Sequence, residues 1–107
     1  MRFYAVTIEE EGEPIIDQFY TSEYLADRYI GIRDRIDGLY REYTQYDIPI
    51  QGNRVWTIED GTYEYPVLLG VYPTEGEAME NLHRFEGDVH VYSYPIQDSI
   101  DEDDTHA

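Results

Sequence analysis

Pro66-Val67-Leu68-Leu69-Gly70-Val71-Tyr72-Pro73-Thr74-Glu75-Gly76-Glu77-Ala78 repeats, 52 residues later, the pattern of Pro14-Ile15-Ile16-Asp17-Gln18-Phe19-Tyr20-Thr21-Ser22-Glu23-Tyr24-Leu25-Ala26. At this offset Pro14 meets Pro66, Ile15-Ile16 meets Val67-Leu68, Phe19-Tyr20 meets Val71-Tyr72, Glu23 meets Glu75 and Ala26 meets Ala78. Carried backwards without a gap, the same offset lays Arg2-Phe3-Tyr4 on Arg54-Val55-Trp56. Residue character is kept along with identity: a strand-like run, an acidic turn, a Pro opening the next strand, then a helix start. Self-similarity at a fixed period is the signature of a duplicated supersecondary unit. The units expected here span residues 2–46 and 54–86.

Each unit reads as strand, hairpin, strand, helix. In the first, Tyr4, Val6 and Ile8 alternate with Phe3, Ala5 and Thr7. Glu9-Glu10-Glu11-Gly12-Glu13 then makes the turn, and Pro14 to Tyr20 returns. Gly12 gives the turn its backbone freedom, and Pro14 suits the first position of a strand. In the second, Trp56 and Ile58 stand where Tyr4 and Val6 stand, Asp60-Gly61 signals the turn, and Tyr65 to Tyr72 returns. The run Pro66 to Val71 is apolar at successive positions, which suits an inner strand.

A helix is expected after Thr21-Ser22, where a hydroxyl can cap the free N–H groups and Glu23 faces the positive end of the dipole. Leu25, Tyr29, Ile32, Ile36, Leu39 and Tyr43 follow at alternating steps of four and three, one apolar stripe reaching about Tyr43. Arg33–Asp37 and Asp37–Arg41 read as i,i+4 pairs on its solvent side. Thr74-Glu75-Gly76-Glu77 is a capping box opening a shorter helix with Ala78, Leu82 and Phe85 on one face, ended by Glu86-Gly87-Asp88. A last strand, Val89 to Tyr94, is stopped by Pro95. The expectation is an α+β domain over residues 1–96 in the order ββαββαβ: a mainly antiparallel sheet of five strands, both helices on one face, ferredoxin-like in part. Residues 97–107 read as an acidic, flexible tail. The open sheet face, or an uncovered edge, is the natural place for a homodimer contact.

The 107 residues carry 24 Asp and Glu against 7 Arg and no Lys, a net charge of −17. A chain 41% hydrophobic and 15% aromatic has the means to build one core, unlike a disordered acidic segment. Having no Cys, it has neither disulfide framework nor thiol nucleophile nor cysteine-ligated metal. No apolar run approaches the roughly 20 residues of a membrane helix, and the residues before Glu9-Glu10-Glu11 are too few for a signal peptide. The expected setting is cytoplasmic, in a host cell if the protein is viral. Direct nucleic-acid binding is excluded by sign, because phosphate contacts need Lys or Arg. Anionic membrane surfaces are excluded for the same reason.

The charge is lopsided. Residues 22–46 hold four Arg and five acids, whereas residues 47–107 hold two Arg and fourteen acids. One electronegative region beside a quieter flank favours a basic partner. The function expected from this is a small acidic interaction protein, of the kind a virus encodes, that imitates a polyanion and blocks a basic nucleic-acid-handling protein such as a defence nuclease. The 12 Tyr suit an interface, offering contact area at little rotamer cost. Candidate contacts are Glu9, Glu10, Glu11 and Glu13 in the first turn, Glu59, Asp60 and Glu64 in the second, and Glu75, Glu77 and Glu80 on the second helix. The alternative is a self-associating structural module from a high-salt host, in which screening makes the acidity tolerable. Catalytic and metal-binding patterns are lacking: Ser22, Ser93 and Ser99 lie in no nucleophile elbow, and the glycines form no phosphate loop. His83 and His90 with Glu80 or Glu86 lack ligand spacing, and Asp101-Glu102-Asp103-Asp104 lacks the alternation and Gly of a calcium loop. No enzymatic activity and no cofactor are expected.

Overall fold

The computed structural model describes residues 1–100. In chain order these form β1 (Arg2–Glu10), β2 (Glu13–Tyr20), α1 (Glu23–Asp37), β3 (Arg41–Asp47), β4 (Arg54–Asp60), β5 (Val67–Tyr72), α2 (Glu75–Asn81) with a 3-10 turn at Leu82–Arg84, and β6 (Val89–Gln97). The fold is α+β, but its sheet has six strands in the order β3-β1-β2-β6-β4-β5, curled into a half-barrel. The expected five-stranded, partly ferredoxin-like arrangement is therefore corrected. The acidic segment 101–107 lies outside the described residues, but the start of the expected tail is held: Gln97 closes β6 and Ile100 packs against the cluster under α1.

Each half is a ββαβ unit. β1 lies between β3 and β2, and β4 lies between β6 and β5, all antiparallel. The expected final strand is thus the third strand of the second unit, and the first unit has a third strand of its own where a continued helix was expected. The reason is Gly38, which caps α1 in the left-handed conformation (φ 68°) and donates its N–H to the Asp34 carbonyl at 3.0 Å. Tyr43 leaves the helical stripe and pairs with Val6 in β3, while Leu39 is exposed. The third strands correspond at an offset of 48: Tyr46 pairs with Phe3 as Tyr94 pairs with Val55. Ile48 donates its N–H to Met1 O as Ile96 donates to Asn53 O. The repeats accordingly run over 2–47 and 54–97, and the second crossover is four residues shorter.

The units meet where β2 runs parallel to β6, with Phe19 opposite Ile96 and Tyr20 opposite Gln97. Pro95 does not stop β6. Ile96 donates towards β4, so the Pro95 nitrogen faces the β2 side, where the ladder begins only one residue later. Curling also brings β5 against β2. β5 is an edge strand, not the inner one expected. It is apolar because its two faces are covered, one by α2 and the other by β2.

The two sides of the sheet bury different sets. Phe3, Ala5, Phe19, Val55 and Ile96 fill the concave side, with Tyr46, Ile48, Ile50, Val71 and Tyr94 around them. Tyr4, Val6 and Tyr20 face Ala26 and Tyr29 of α1. At the same offset Trp56, Ile58 and Tyr72 fall on the side of Ala78 in α2. The helix caps also repeat: Ser22 Oγ accepts from Leu25 N at 3.2 Å and Thr74 Oγ1 from Glu77 N at 3.1 Å.

Arg41, at the start of β3, ties α1 to the sheet. Its Nε donates to Asp17 on β2 at 2.6 Å and its two terminal nitrogens donate to Asp37. The guanidinium also lies 5.9 Å from the Tyr29 ring, and Tyr29 Oη donates to Asp17 at 2.9 Å. The expected Asp37–Arg41 pair is present, but it joins helix to strand, and the Arg41 side chain is 3% exposed and not on a solvent face.

Candidate functional site

The half-barrel brings the β1–β2 turn beside the segment joining β4 to β5. Glu11 (φ 52°) and Gly12 (φ 83°) are both left-handed, as a two-residue hairpin turn requires. This tight turn projects Glu10, Glu11 and Glu13 towards Tyr63, Glu64 and Tyr65, with Ile15 and Val67 completing a cleft of about 140 Å3. Ile15 and Val67 are equivalent residues of the two units, so the cleft lies on the seam between the repeats. There Glu11 and Glu13 of the first unit stand opposite their counterparts, Tyr63 and Tyr65.

Four carboxylates and two half-exposed tyrosines surround this space, and none of its lining residues is basic. The volume holds a few water molecules or one long side chain. It is well below the roughly 300–1,000 Å3 of a pocket that engulfs a small-molecule ligand. A cleft with this lining is suited chemically to a cationic head on an apolar stem, a lysine or arginine side chain, because an aromatic face attracts a cation as the carboxylates do.

The ten acids singled out in the sequence do not form one patch. Glu10, Glu11, Glu13 and Glu64 meet at the cleft. Glu9 is exposed beside it on β1, opposite Pro14, and its N–H bonds Tyr40 O. Asp60 accepts from the Thr62 N–H at 2.9 Å, and hydrogen bonds from Thr62 hold its carboxyl below the usual range. Glu75, Glu77 and Glu80 are exposed on α2, which starts at the far end of β5, about 20 Å along the strand from the cleft.

Glu59 is corrected as a contact residue. It is 3% exposed, and its Oε2 accepts hydroxyls from Thr57 at 2.5 Å and Tyr94 at 2.6 Å. Alternation along β4 puts Val55, Thr57 and Glu59 on the concave side, where no partner reaches. Burial first, and then the bond to Glu59, push the Tyr94 phenol well above its ordinary range.

Tyr63, Tyr65, Ile15 and Val67 are cleft residues that sequence reasoning missed. The two tyrosines flank Glu64, which is a local signal, but their approach to the first turn depends on β5 packing against β2. His90 Nε2 lies 2.7 Å from Asp88 and its ring meets Tyr92 edge-on. Among the described residues no group of three or more His, Asp or Glu side chains is arranged to hold a metal, and no helix is long and apolar enough to cross a membrane. Comparison of the chain with protein-family models, curated proteins and solved structures finds no match.

Proposed function

We propose that the protein is an acidic interaction module that presents the cleft and the carboxylates around it to a basic, nucleic-acid-handling partner, occupying the surface on which that partner binds a polyanion. The observation that carries this reading is the convergence of Glu10, Glu11, Glu13 and Glu64 about Tyr63 and Tyr65 at the seam of the two units. A Lys or Arg side chain entering there gains the charges of several carboxylates and contact with two rings. The surrounding acidity steers the approach and makes it sensitive to salt. An agent that blocks a defence nuclease, in a cell infected by a virus, is the biological setting that best suits such chemistry.

The experiment is co-purification from the host followed by competition of the captured partner for DNA. The wild-type chain displaces DNA, and the triple variant Glu10→Lys, Glu11→Lys, Glu64→Lys neither co-purifies nor displaces. Unchanged binding by that variant overturns the reading.

The exposed acids of α2, remote from the cleft, favour a second reading in which acidity serves solubility in concentrated salt and the activity is self-association. That reading requires cooperative unfolding as salt falls below about 1 M, where the Debye length grows beyond roughly 3 Å, and refolding when salt is restored. A chain equally stable at low and high ionic strength removes it.

A further inference from the structure

The sequence contains two Asp–Gly peptide bonds, Asp37–Gly38 and Asp60–Gly61, and each Asp is the last residue of its element, α1 and β4. An Asp–Gly bond rearranges readily, because glycine, with no Cβ, leaves its amide nitrogen open to the carboxyl of the preceding side chain. The nitrogen bonds to Cγ of the Asp, and its proton leaves with the carboxyl hydroxyl as water, closing a succinimide. Water then opens the ring. Attack at the side-chain carbonyl restores aspartate, whereas attack at the main-chain carbonyl gives isoaspartate, with one extra methylene in the backbone.

The structure restrains both bonds in the same way. Asp37 Oδ1 accepts the Leu39 N–H and Asp60 Oδ1 accepts the Thr62 N–H, each at 2.9 Å, so each carboxylate is turned past its glycine to the residue beyond. The glycine N–H is committed as well, from Gly38 to Asp34 O at 3.0 Å and from Gly61 to Asp88 O at 2.7 Å.

What backs these restraints differs. Asp37 is gripped also by both terminal nitrogens of Arg41 and by Arg33, and its glycine bonds within the last turn of α1. Asp60 is held by Thr62, and among the described residues no Arg or His side chain forms an ion pair with it. The carbonyl that accepts the Gly61 N–H belongs to the exposed link Glu86-Gly87-Asp88, in which Gly87 is left-handed (φ 98°). Such a link opens at lower cost than a helix end bolted to the sheet. Ring closure also needs the neutral carboxyl, since a carboxylate is a poor electrophile. Both carboxyls are held below their ordinary range by these contacts, Asp37 the further.

We propose that Asp60 is a modification site of the folded chain, rearranging to isoaspartate through a succinimide with the Gly61 nitrogen, and that Arg41 guards Asp37 against the same reaction. The extra methylene enters where Asp60 pairs with Val67 and Val89, at the root of the segment that carries Tyr63, Glu64 and Tyr65. The cleft thus carries its own covalent clock, which displaces its tyrosines with water as the only other reactant.

The test incubates the folded chain, and the chain unfolded in guanidinium chloride, at pH 7 in heavy-oxygen water. Every passage through the succinimide leaves one solvent oxygen at the residue that reacted, and peptide mass spectrometry reads the label at 37 and 60. Protection at each position is the label in the unfolded chain divided by that in the folded chain, taken when the unfolded chain is half converted. It is expected to be at least tenfold greater at 37 than at 60, with isoaspartate accumulating at 60. Equal protection at the two positions, or a folded chain unlabelled at 60, overturns the proposal. Arg41→Lys, which removes the fork and keeps the charge, is expected to lower protection at 37 at least threefold. A variant with wild-type circular dichroism and unchanged protection at 37 overturns the guarding role of Arg41. Should that variant fail to fold, the two wild-type protections decide alone.

Discussion

Arg41 and Asp37 stand four residues apart on different elements, and their side chains meet in a two-pronged ion pair, with nitrogen–oxygen distances of 2.7 and 2.8 Å. The third arm, from Arg41 Nε to Asp17, makes the guanidinium the bolt between the end of α1, the middle of β2 and the start of β3. Such a fork matches carboxylate geometry in a way an ammonium cannot. Arg41→Ala should therefore destabilise the fold by about 3 kcal/mol, the lower end of the range for breaking a buried pair, since both carboxylates retain some solvent contact. Arg41→Lys should recover only part of the loss. Urea unfolding of the three proteins checks this.

The same contact sets a pH dependence. Arg41, followed by the Leu39 N–H, holds the Asp37 carboxyl far below the usual carboxylate range. A group whose folded pKa is depressed contributes stability above its unfolded value, near pH 4, and loses that contribution as the pH falls towards the folded value. Wild-type midpoints should accordingly drop on acidification below about pH 4. The drop should be shallower in Arg41→Ala, which has already lost the contribution.

Gly70 and Gly31 make opposite predictions for the same substitution. A Cβ at Gly70 would lie 2.7 to 3.0 Å from the ring and hydroxyl of Tyr72, which folds back over the glycine. Gly70→Ala must displace that ring and should cost about 1–3 kcal/mol. At Gly31, within α1, a Cβ meets nothing within 4 Å, and Gly31→Ala should stabilise by about 1 kcal/mol. Thermal unfolding of both variants separates them by sign.

Tyr94 predicts the alkaline limb. Its phenol is raised by burial and by the hydrogen bond to Glu59, so it supports the fold fully below its unfolded value near pH 10 and progressively less as the pH rises towards the folded value. Tyr94→Phe removes a donor to a buried carboxylate and should cost about 1–3 kcal/mol at neutral pH. Above about pH 10 its stability should decline less steeply than that of the wild type. Urea midpoints at pH 7, 10 and 11 measure both effects.

The strands β1, β2, β4 and β5 and both helix starts were legible because each rests on local signals: alternation, a turn and a hydroxyl cap. The ungapped offset of 52 lays β1 on β4 and β2 on β5. β3 was missed because Leu39 and Tyr43 prolong the helical stripe by spacing alone, although Gly38 marks where the helix stops. As an edge strand with polar side chains at many positions, Arg41-Glu42-Tyr43-Thr44-Gln45-Tyr46-Asp47 shows little alternation. The repeated Tyr46 and Tyr94, 48 residues apart, carried the missing signal. Four of the ten proposed contacts meet in the cleft, but the tyrosines opposite them come from tertiary packing that no spacing in one segment encodes. Glu59 was misread because its acidity suggested a surface, whereas its place in the alternation of β4 puts it inside.

The four-residue difference between the crossovers has a practical meaning for anyone altering this chain. Two connections of unequal length deliver their final strands to the same register, so the ladders set the address and the helical returns are merely long enough to reach it. Insertions, purification handles or reporter groups belong in those returns, where slack is already tolerated. The same additions in a hairpin would shift a register and turn a buried row outward.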